Sequence, residues 1–181
     1  MIPNDMLLYF FIRLNALKIS PTQSTTEVAS VIPIHSPQVS GTVLKTETLD
    51  FFYDESGRPF AFNYSVDGGI ASTYYYILNL QGDVVQIIDA NGVMQAEYVY
   101  SPWGEVISAE GDLAEINPLR YRGYYYDSET GFYYLRSRYY DPENHRFINA
   151  DSIDAILSAG DMGCNMYSYC YNSPINQVDE N

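Results

Sequence analysis

The sequence predicts a mainly β fold of short antiparallel hairpins that stack on one another. Three observations predict it: tyrosine dominates the aromatic residues, aspartate-to-glycine turns recur, and no segment before about residue 152 has helical periodicity. Tyrosine accounts for 19 of the 181 residues, against 8 phenylalanines and 1 tryptophan. Its apolar ring and polar hydroxyl suit half-buried pleated surfaces. We therefore expect sheets whose faces are only partly buried from water.

The composition divides the chain into three predicted parts. Residues 1–48 are an atypical N-terminal segment with an apolar run, Met6–Ile12, followed by a Ser-, Thr- and Pro-rich linker. The apolar run is too short to span a bilayer and lacks a basic flank, so we do not interpret it as a signal peptide. Residues 49–119 are predicted to form hairpin repeats, and residues 120–181 a separate core.

An internal repeat becomes visible when the turns are aligned. Asp54–Gly57 and Asp89–Gly92 share one spacing, and Asp127–Gly131 is one residue longer. In each turn we expect aspartate to cap the backbone and glycine to take the left-handed position. The flanking segments, such as 84–88 and 95–100, supply the paired strands. One hairpin cannot bury its own face, so the hairpins are expected to stack.

The charge distribution limits the possible partners. The formal net charge is −14, which argues against nucleic acid and anionic membranes as partners, because both attract basic surfaces. Five of the nine basic residues are arginines clustered within 27 positions, and we expect them to pair internally with carboxylates. They are Arg120, Arg122, Arg136, Arg138 and Arg146.

The sequence predicts no metal site and no cofactor. Its two cysteines, Cys164 and Cys170, cannot complete a four-ligand zinc site, and His35 and His145 are distant in sequence. Buried thiols and a local disulfide both remain open for the cysteines. The tyrosine clusters leave two interpretations, cross-strand structural pairs or an aromatic sugar-binding platform, and the alternation within each doublet favours the first.

Two long motifs resemble the tyrosine-aspartate (YD) repeats and the repeat-associated core of the rearrangement-hotspot (RHS) family. Segments 74–76, 82–85, 89–92 and 98–105 are similar to the repeat pattern. Segments 120–127 and 133–142 are similar to the core signature, and the resemblance covers about residues 50–179. It implies hairpin repeats that form part of a spiral β-shell, with a small irregular or short-helical core cap near the C-terminus.

The resemblance also implies a function. Shells of this family enclose a C-terminal passenger, often a toxin, which the core releases by acting as an aspartyl protease on its own chain. The cut follows a motif of the form Asn-x-Pro-x-Asn-x-x-Asp-Pro-x-Gly. Residues 172–179 match its first half, but Glu180 stands where proline is expected. We therefore expect a shell fragment without a passenger.

The resemblance points to Asp141 and Asp151 as the catalytic pair, with Arg138 or Arg146 as the orienting cation. Two adjacent carboxylates can share one proton and divide the acid and base roles. The alternative is that Asp141 caps a turn and Asp151 caps a helix. His145 replaces a family glycine that would have a positive φ. Either the turn bends differently and His145 lies near the acids as a pH-sensitive neighbour, or His145 is an exposed loop residue.

The leading hypothesis is a non-processing scaffold fragment of an RHS shell. The first alternative is an intact aspartyl autoprotease that releases a C-terminal toxin. The second is a strand-addition partner of a longer RHS shell protein, since an isolated piece would have open sheet edges. The expected partners are a C-terminal toxin passenger or another shell protein. Longer relatives are expected to be secreted or at the cell surface, and an orphan fragment to be cytoplasmic.

Overall fold

The computed structural model describes residues 29–34, 46–150, 165–177 and 179. Its strands lie in two antiparallel sheets, so the predicted mainly β fold is confirmed. Two compact units can be distinguished. Unit 1 comprises Met1–Tyr76 with Ile88–Val93, and unit 2 comprises Ile77–Ile87 with Met94–Asn181. Within the described ranges, no helix has the length and apolar character needed to cross a membrane.

The described residues form strands that alternate with tight turns. The strands are β1 (Ala29–Ile34), β2 (Glu47–Tyr53), β3 (Pro59–Val66), β4 (Ser72–Leu78), β5 (Val84–Asp89), β6 (Met94–Tyr100), β7 (Val106–Glu110), β8 (Tyr125–Asp127), β9 (Phe132–Leu135), β10 (Arg138–Asp141) and β11 (Arg146–Phe147). The described helical segments are two single 3₁₀ turns, Tyr121–Gly123 and Cys170–Asn172. The second lies in the predicted short-helical cap, of which residues 151–164 fall outside the described ranges.

Unit 1 is an antiparallel ladder of consecutive strands. β1 pairs with β2, β2 with β3, and β3 with β4. The register places Phe51 opposite Phe62 and Phe62 opposite Tyr74. Phe62 is fully buried, and its ring centroid lies 5.2 Å from that of Tyr76 and 5.4 Å from that of Tyr74. The aromatic residues therefore act as cross-strand structural pairs here, as the alternation predicted.

Four hairpin turns share one set of hydrogen bonds. In each, the first residue's carbonyl accepts from a glycine three positions on, and its side-chain oxygen accepts from the amides two and four positions on. The predicted turns beginning at Asp54 and Asp89 are confirmed. Asn79 and Ser101 begin two more, in which an amide or hydroxyl oxygen replaces the carboxylate. Asx and Ser side chains suit this position because they bond to amides slightly further along the chain.

Unit 2 contains the pair β6–β7 and a four-stranded sheet in the order β11-β10-β9-β8. The tyrosine doublets of β9 and β10 pair across the strands. Tyr133 and Tyr140 are fully buried with ring centroids 6.4 Å apart, while Tyr134 and Tyr139 pair on the other face at 5.0 Å. Around the buried face lie Tyr121, Leu135, Phe147, Tyr169 and Cys170. This tyrosine-lined core positions the site described next.

Candidate functional site: a clamp on the C-terminal segment

Buried tyrosines of unit 2 bond to one short stretch of backbone. The hydroxyls of Tyr121, Tyr133 and Tyr140 donate to carbonyl oxygens of residues 102, 104 and 103, at 2.9, 2.8 and 2.7 Å. Burial raises the pKa of each of these phenols, so they stay protonated as donors. The loop between β6 and β7 is thereby fixed to the sheet that carries the site.

Tyr169 anchors the C-terminal segment, defined here as residues 169–177 and 179, in this core. It is fully buried, and its ring stacks on Tyr140 at 4.0 Å between centroids and meets Phe147 edge-on at 5.8 Å. Burial raises the pKa of the Tyr169 phenol and that of the neighbouring Cys170 thiol. Cys170 is a free, buried thiol, as one of the two open interpretations predicted, while Cys164 lies outside the described residues.

The chain leaves this anchor through three consecutive left-handed residues. Cys170, Tyr171 and Asn172 have φ values of 46°, 50° and 59°. The amides of Asn172 and Ser173 close the turn by donating to the carbonyls of residues 169 and 170, each at 2.9 Å. Left-handed backbone is unfavourable for residues with a β-carbon. Such strain persists where surrounding contacts determine the path of the chain.

Two side chains of unit 2 then hold the segment by its main-chain carbonyls. The guanidinium of Arg122 donates through Nη2 to the carbonyl oxygen of Pro174 and, at 3.4 Å, to that of Gln177. Gln81 donates through Nε2 to the carbonyl oxygen of Ile175 at 3.2 Å. We call Gln81 and Arg122 the main-chain clamp.

Asp83 fixes Arg122 in place. Its Oδ1 accepts from the Arg122 amide at 2.9 Å and lies 3.9 Å from Arg122 Nε, and both side chains are almost fully buried. Its Oδ2 accepts from Asn79 Nδ2 at 2.6 Å. Asn79 also begins one of the four shared turns, so the β4–β5 turn provides both Gln81 and the carboxylate that positions Arg122.

Arg138 makes the other contact to the segment. Its Nη2 donates to both carboxylate oxygens of Asp179, at 3.1 and 3.3 Å, and its guanidinium carbon lies 3.6 Å from the ring centroid of Phe147. The side chains of Arg138 and Asp179 are only 5% and 9% exposed. A charge pair this buried is costly to break, because removal of one partner leaves the other charge without compensation.

The arginine-pairing prediction is therefore confirmed for Arg138 and Arg122. Arg120 departs from it, because its main partners are carbonyl oxygens. Its Nη2 donates to Ala114 at 2.9 Å, and its guanidinium lies 4.4 Å from the Tyr126 ring centroid, whereas exposed Glu115 is 3.9 Å away. A planar guanidinium with several donors suits carbonyls and aromatic faces as well as carboxylates.

Three of the four predicted catalytic residues, Asp141, Arg138 and Arg146, lie within the described residues, and each has different contacts. Asp141 accepts from the amides of Glu143 and Asn144 at 3.0 Å each and from Asn144 Nδ2 at 2.8 Å, which is the bonding of a turn cap. Asp151 lies outside the described residues, so its pairing with Asp141 stays a prediction. Of the two proposed cations, Arg138 binds Asp179, and Arg146 is exposed.

Arg146 lies beside Asp141 at a shallow depression of about 290 Å³, which is also lined by Asn144, Phe147, Ile148 and Tyr167. Its guanidinium is 5.1 Å from the Tyr167 ring centroid. In the part of the chain that the structure describes, no group of three His, Cys, Asp or Glu residues could hold a metal ion.

His145 takes the left-handed conformation that its position requires, with a φ of 59°. Of the two expectations, a bent turn and an exposed residue, the structure matches exposure. The imidazole also stacks on Trp103, with ring centroids 4.4 Å apart and an interplanar angle of 13°. Sequence reasoning did not foresee this contact, because the two residues are far apart along the chain.

Gln81 of the clamp and Asp83, which positions Arg122, were not foreseen either, and Arg122 was noted only as one of the clustered arginines. The available signal was Asp83 itself. It follows the glycine of the Asn79 turn, a position that Arg58, Val93 or Glu105 occupies in the other three. Glu105 is also a carboxylate at this position but is exposed, so the turn pattern alone does not say that Asp83 has a buried cationic partner.

The family of the chain follows from its match to a known sequence profile. The profile of the Teneurin YD-shell matches residues 43–175, which includes most of the described sheets and residues 169–175 of the C-terminal segment. The chain belongs to the YD-shell family. This confirms the RHS/YD resemblance that the tyrosine, turn and core motifs indicated.

Related YD-shell proteins are much longer than this chain. The tRNA3(Ser)-specific nuclease WapA of Bacillus spizizenii is 38% identical over 133 residues, which are 73% of this chain and 5% of WapA. Toxin protein Tse5 of Pseudomonas aeruginosa is 33% identical over 106 residues, covering 59% of this chain and 8% of Tse5. The chain thus spans less than a tenth of either relative, and it is a shell-type segment of a family that includes toxins.

A solved structure shows the same fold. The TcdB2-TccC3-Cdc42 crystal structure superposes with a TM-score of 0.60 at 27% identity, over 74% of this chain and 6% of that one. A Photorhabdus luminescens Tc holotoxin pore structure also gives a TM-score of 0.60, at 19% identity, over 82% of this chain and 8% of its own.

Proposed function

We propose that this chain is a structural, non-processing part of a YD shell, and that its four-stranded sheet holds the segment that leads to a C-terminal toxin passenger in longer relatives. One observation carries the proposal: the C-terminal segment is tied to the sheet at both ends. Tyr169 anchors its start in the core, and Arg138 binds Asp179 near its end. Relatives such as Tse5 are toxins, which supports the passenger class.

The same contacts favour a structural role over proteolysis. Three hydrogen bonds from its own turn occupy the Asp141 carboxylate, as expected for a cap. Arg138, the first of the proposed orienting cations, is committed to Asp179. Both residues thus have contacts that hold the fold together without any reaction.

The test is the intact mass of a variant in which Pro-Asn-Gly-Leu and a reporter domain follow Asp179. This tail restores the second half of the family's cleavage motif. A structural segment leaves the fusion uncut, so one species of full mass is expected. Circular dichroism of the same sample establishes that the sheets are folded.

The opposite result would support the autoprotease alternative. In that case the reporter is released from the parent, and Asp141→Asn and Asp151→Asn abolish the release. Conversion of either aspartate to asparagine removes the shared proton while keeping the side-chain size. Release that depends on both aspartates overturns the structural proposal.

A further inference from the structure

We propose that the main-chain clamp, Gln81 and Arg122, binds the polypeptide leading out of the shell through its carbonyl oxygens, and so accepts any side chain at the two exposed clamped positions, 175 and 177. This inference rests on the proposed function, because it assigns how the leading polypeptide is held. The ligand chemistry is a row of peptide carbonyls.

The contacts themselves carry the inference. The clamp meets the carbonyl oxygens of Pro174, Ile175 and Gln177 and none of their side chains among its hydrogen bonds. Ile175 is 63% exposed and Gln177 is also exposed, whereas Pro174 is buried, so side-chain tolerance applies to positions 175 and 177. A contact made only to carbonyls carries no sequence information, because every residue has that group.

The contacts of Arg122 hold its side chain in the orientation that these hydrogen bonds need. Its backbone is left-handed, with a φ of 55°, and the Asp83 carboxylate holds its amide at 2.9 Å. Its guanidinium carbon lies 5.6 Å from the ring centroid of Tyr121. The planar guanidinium presents several donors in fixed directions, so one pre-oriented side chain can serve two carbonyls at once.

The clamp and Arg138 bind different chemical groups of the C-terminal segment. Arg138 binds a side chain, the Asp179 carboxylate, and therefore recognises a particular residue. The clamp holds the main chain at residues 174, 175 and 177. A shell built in this way recognises one particular residue, Asp179, and tolerates variation at positions 175 and 177.

Amide hydrogen exchange in the full-length chain tests the clamp. The amides of Asn176 and Gln177 donate to the Ser173 carbonyl at 3.1 and 3.0 Å, so they report whether the clamped turn is closed. Arg122→Met is expected to speed their exchange by about tenfold or more, since hydrogen bonds from a charged donor are lost. Arg122→Lys keeps a cationic donor and is expected to give a smaller increase. The double variant Ile175→Ala, Gln177→Ala is expected to leave the rates unchanged.

Arg136→Met is the matched control. Arg136 is also an arginine in left-handed backbone, with a φ of 54°, but it is exposed on the β9–β10 turn. Its replacement should leave the exchange of Asn176 and Gln177 at the parental rate. If Arg122→Met does not fold, Gln81→Ala replaces it, because Gln81 is exposed and its removal leaves Asp83 and the core intact.

Two results overturn the inference. One is parental exchange in a folded Arg122→Met or, in its place, Gln81→Ala variant. The other is exchange in the Ile175→Ala, Gln177→Ala variant that is as fast as in the clamp variant, which would mean that side chains are recognised. The exchange experiment and the reporter experiment can fail separately. If the reporter is cut but exchange still depends on the clamp, the non-processing function is rejected and the clamp inference stands.

Discussion

At the scale of single residues, His145 shows how a side-chain contact can compensate for backbone strain. The equivalent position of the β8–β9 turn is Gly131, with a φ of 76°, whereas His145 has a φ of 59°. Left-handed backbone costs about 1 kcal/mol or more for a residue with a β-carbon. The stack on Trp103 contributes a similar amount, since aromatic pairs are worth about 0.5–1.5 kcal/mol.

This balance predicts an unusual order of stability. His145→Ala loses the stack and keeps the strain, so it should be about 1 kcal/mol less stable than the parent. His145→Gly loses both, so its stability should be near that of the parent. Urea unfolding followed by circular dichroism measures the order. Equal destabilisation by alanine and glycine would show that strain at this position is negligible.

At the scale of elements, two connections between strands require glycine for different reasons. Gly92 has a φ of 79° in the shared turn, and an added β-carbon would meet nothing within 4 Å. Gly111 follows β7 with a φ of 105°, and an added β-carbon would lie 2.4 Å from the Gln95 carbonyl oxygen. The first glycine is needed only for its backbone angle, and the second also for a close approach to the backbone.

The pair Gly92→Ala and Gly111→Ala separates these two demands. Gly92→Ala should cost about 1 kcal/mol of unfolding free energy, through strain alone. Gly111→Ala should cost about 3 kcal/mol or more, because the backbone of β6 has to move as well. Thermal unfolding by calorimetry gives both values. Equal losses would mean that β7 and the loop after it shift without cost.

At the scale of the whole molecule, tyrosines make up most of the described groups whose pKa is shifted. Burial raises the pKa of Tyr53 and of Tyr124 to about 12, and burial together with a hydrogen bond to Glu47 does the same for Tyr64. The pKa of Tyr98, Tyr100 and the core tyrosines of unit 2 is also raised. The ordinary value is about 10.

The raised values predict alkaline unfolding. A folded-state pKa above the unfolded one means that the folded state keeps its protons longer, so the associated stability is fully present below pH 10. It is lost progressively as the pH rises from about 10 to about 12 and beyond. Urea midpoints at pH 8, 10 and 11, with tyrosinate absorbance on the same samples, measure this. An unchanged midpoint at pH 11 would contradict it.

The sequence by itself determined those parts of the protein that depend on local chemistry. Period-two alternation placed the tyrosine doublets on opposite faces, and aspartate-to-glycine spacing located the turns at Asp54, Asp89 and Asp127. These features arise among residues close in the chain, where side-chain period and turn type suffice. The family followed from the same motifs, because they are long and repeated.

Only the tertiary structure decided the partners across the chain. Arg122 donates to the carbonyl oxygen of Pro174, 52 residues away, and Arg138 binds the carboxylate of Asp179, 41 residues away. The sequence showed clustered arginines and a surplus of acids, which allows many pairings. Which pairing forms depends on which distant residues the sheets bring together in the buried interior. No local sequence pattern contains that information.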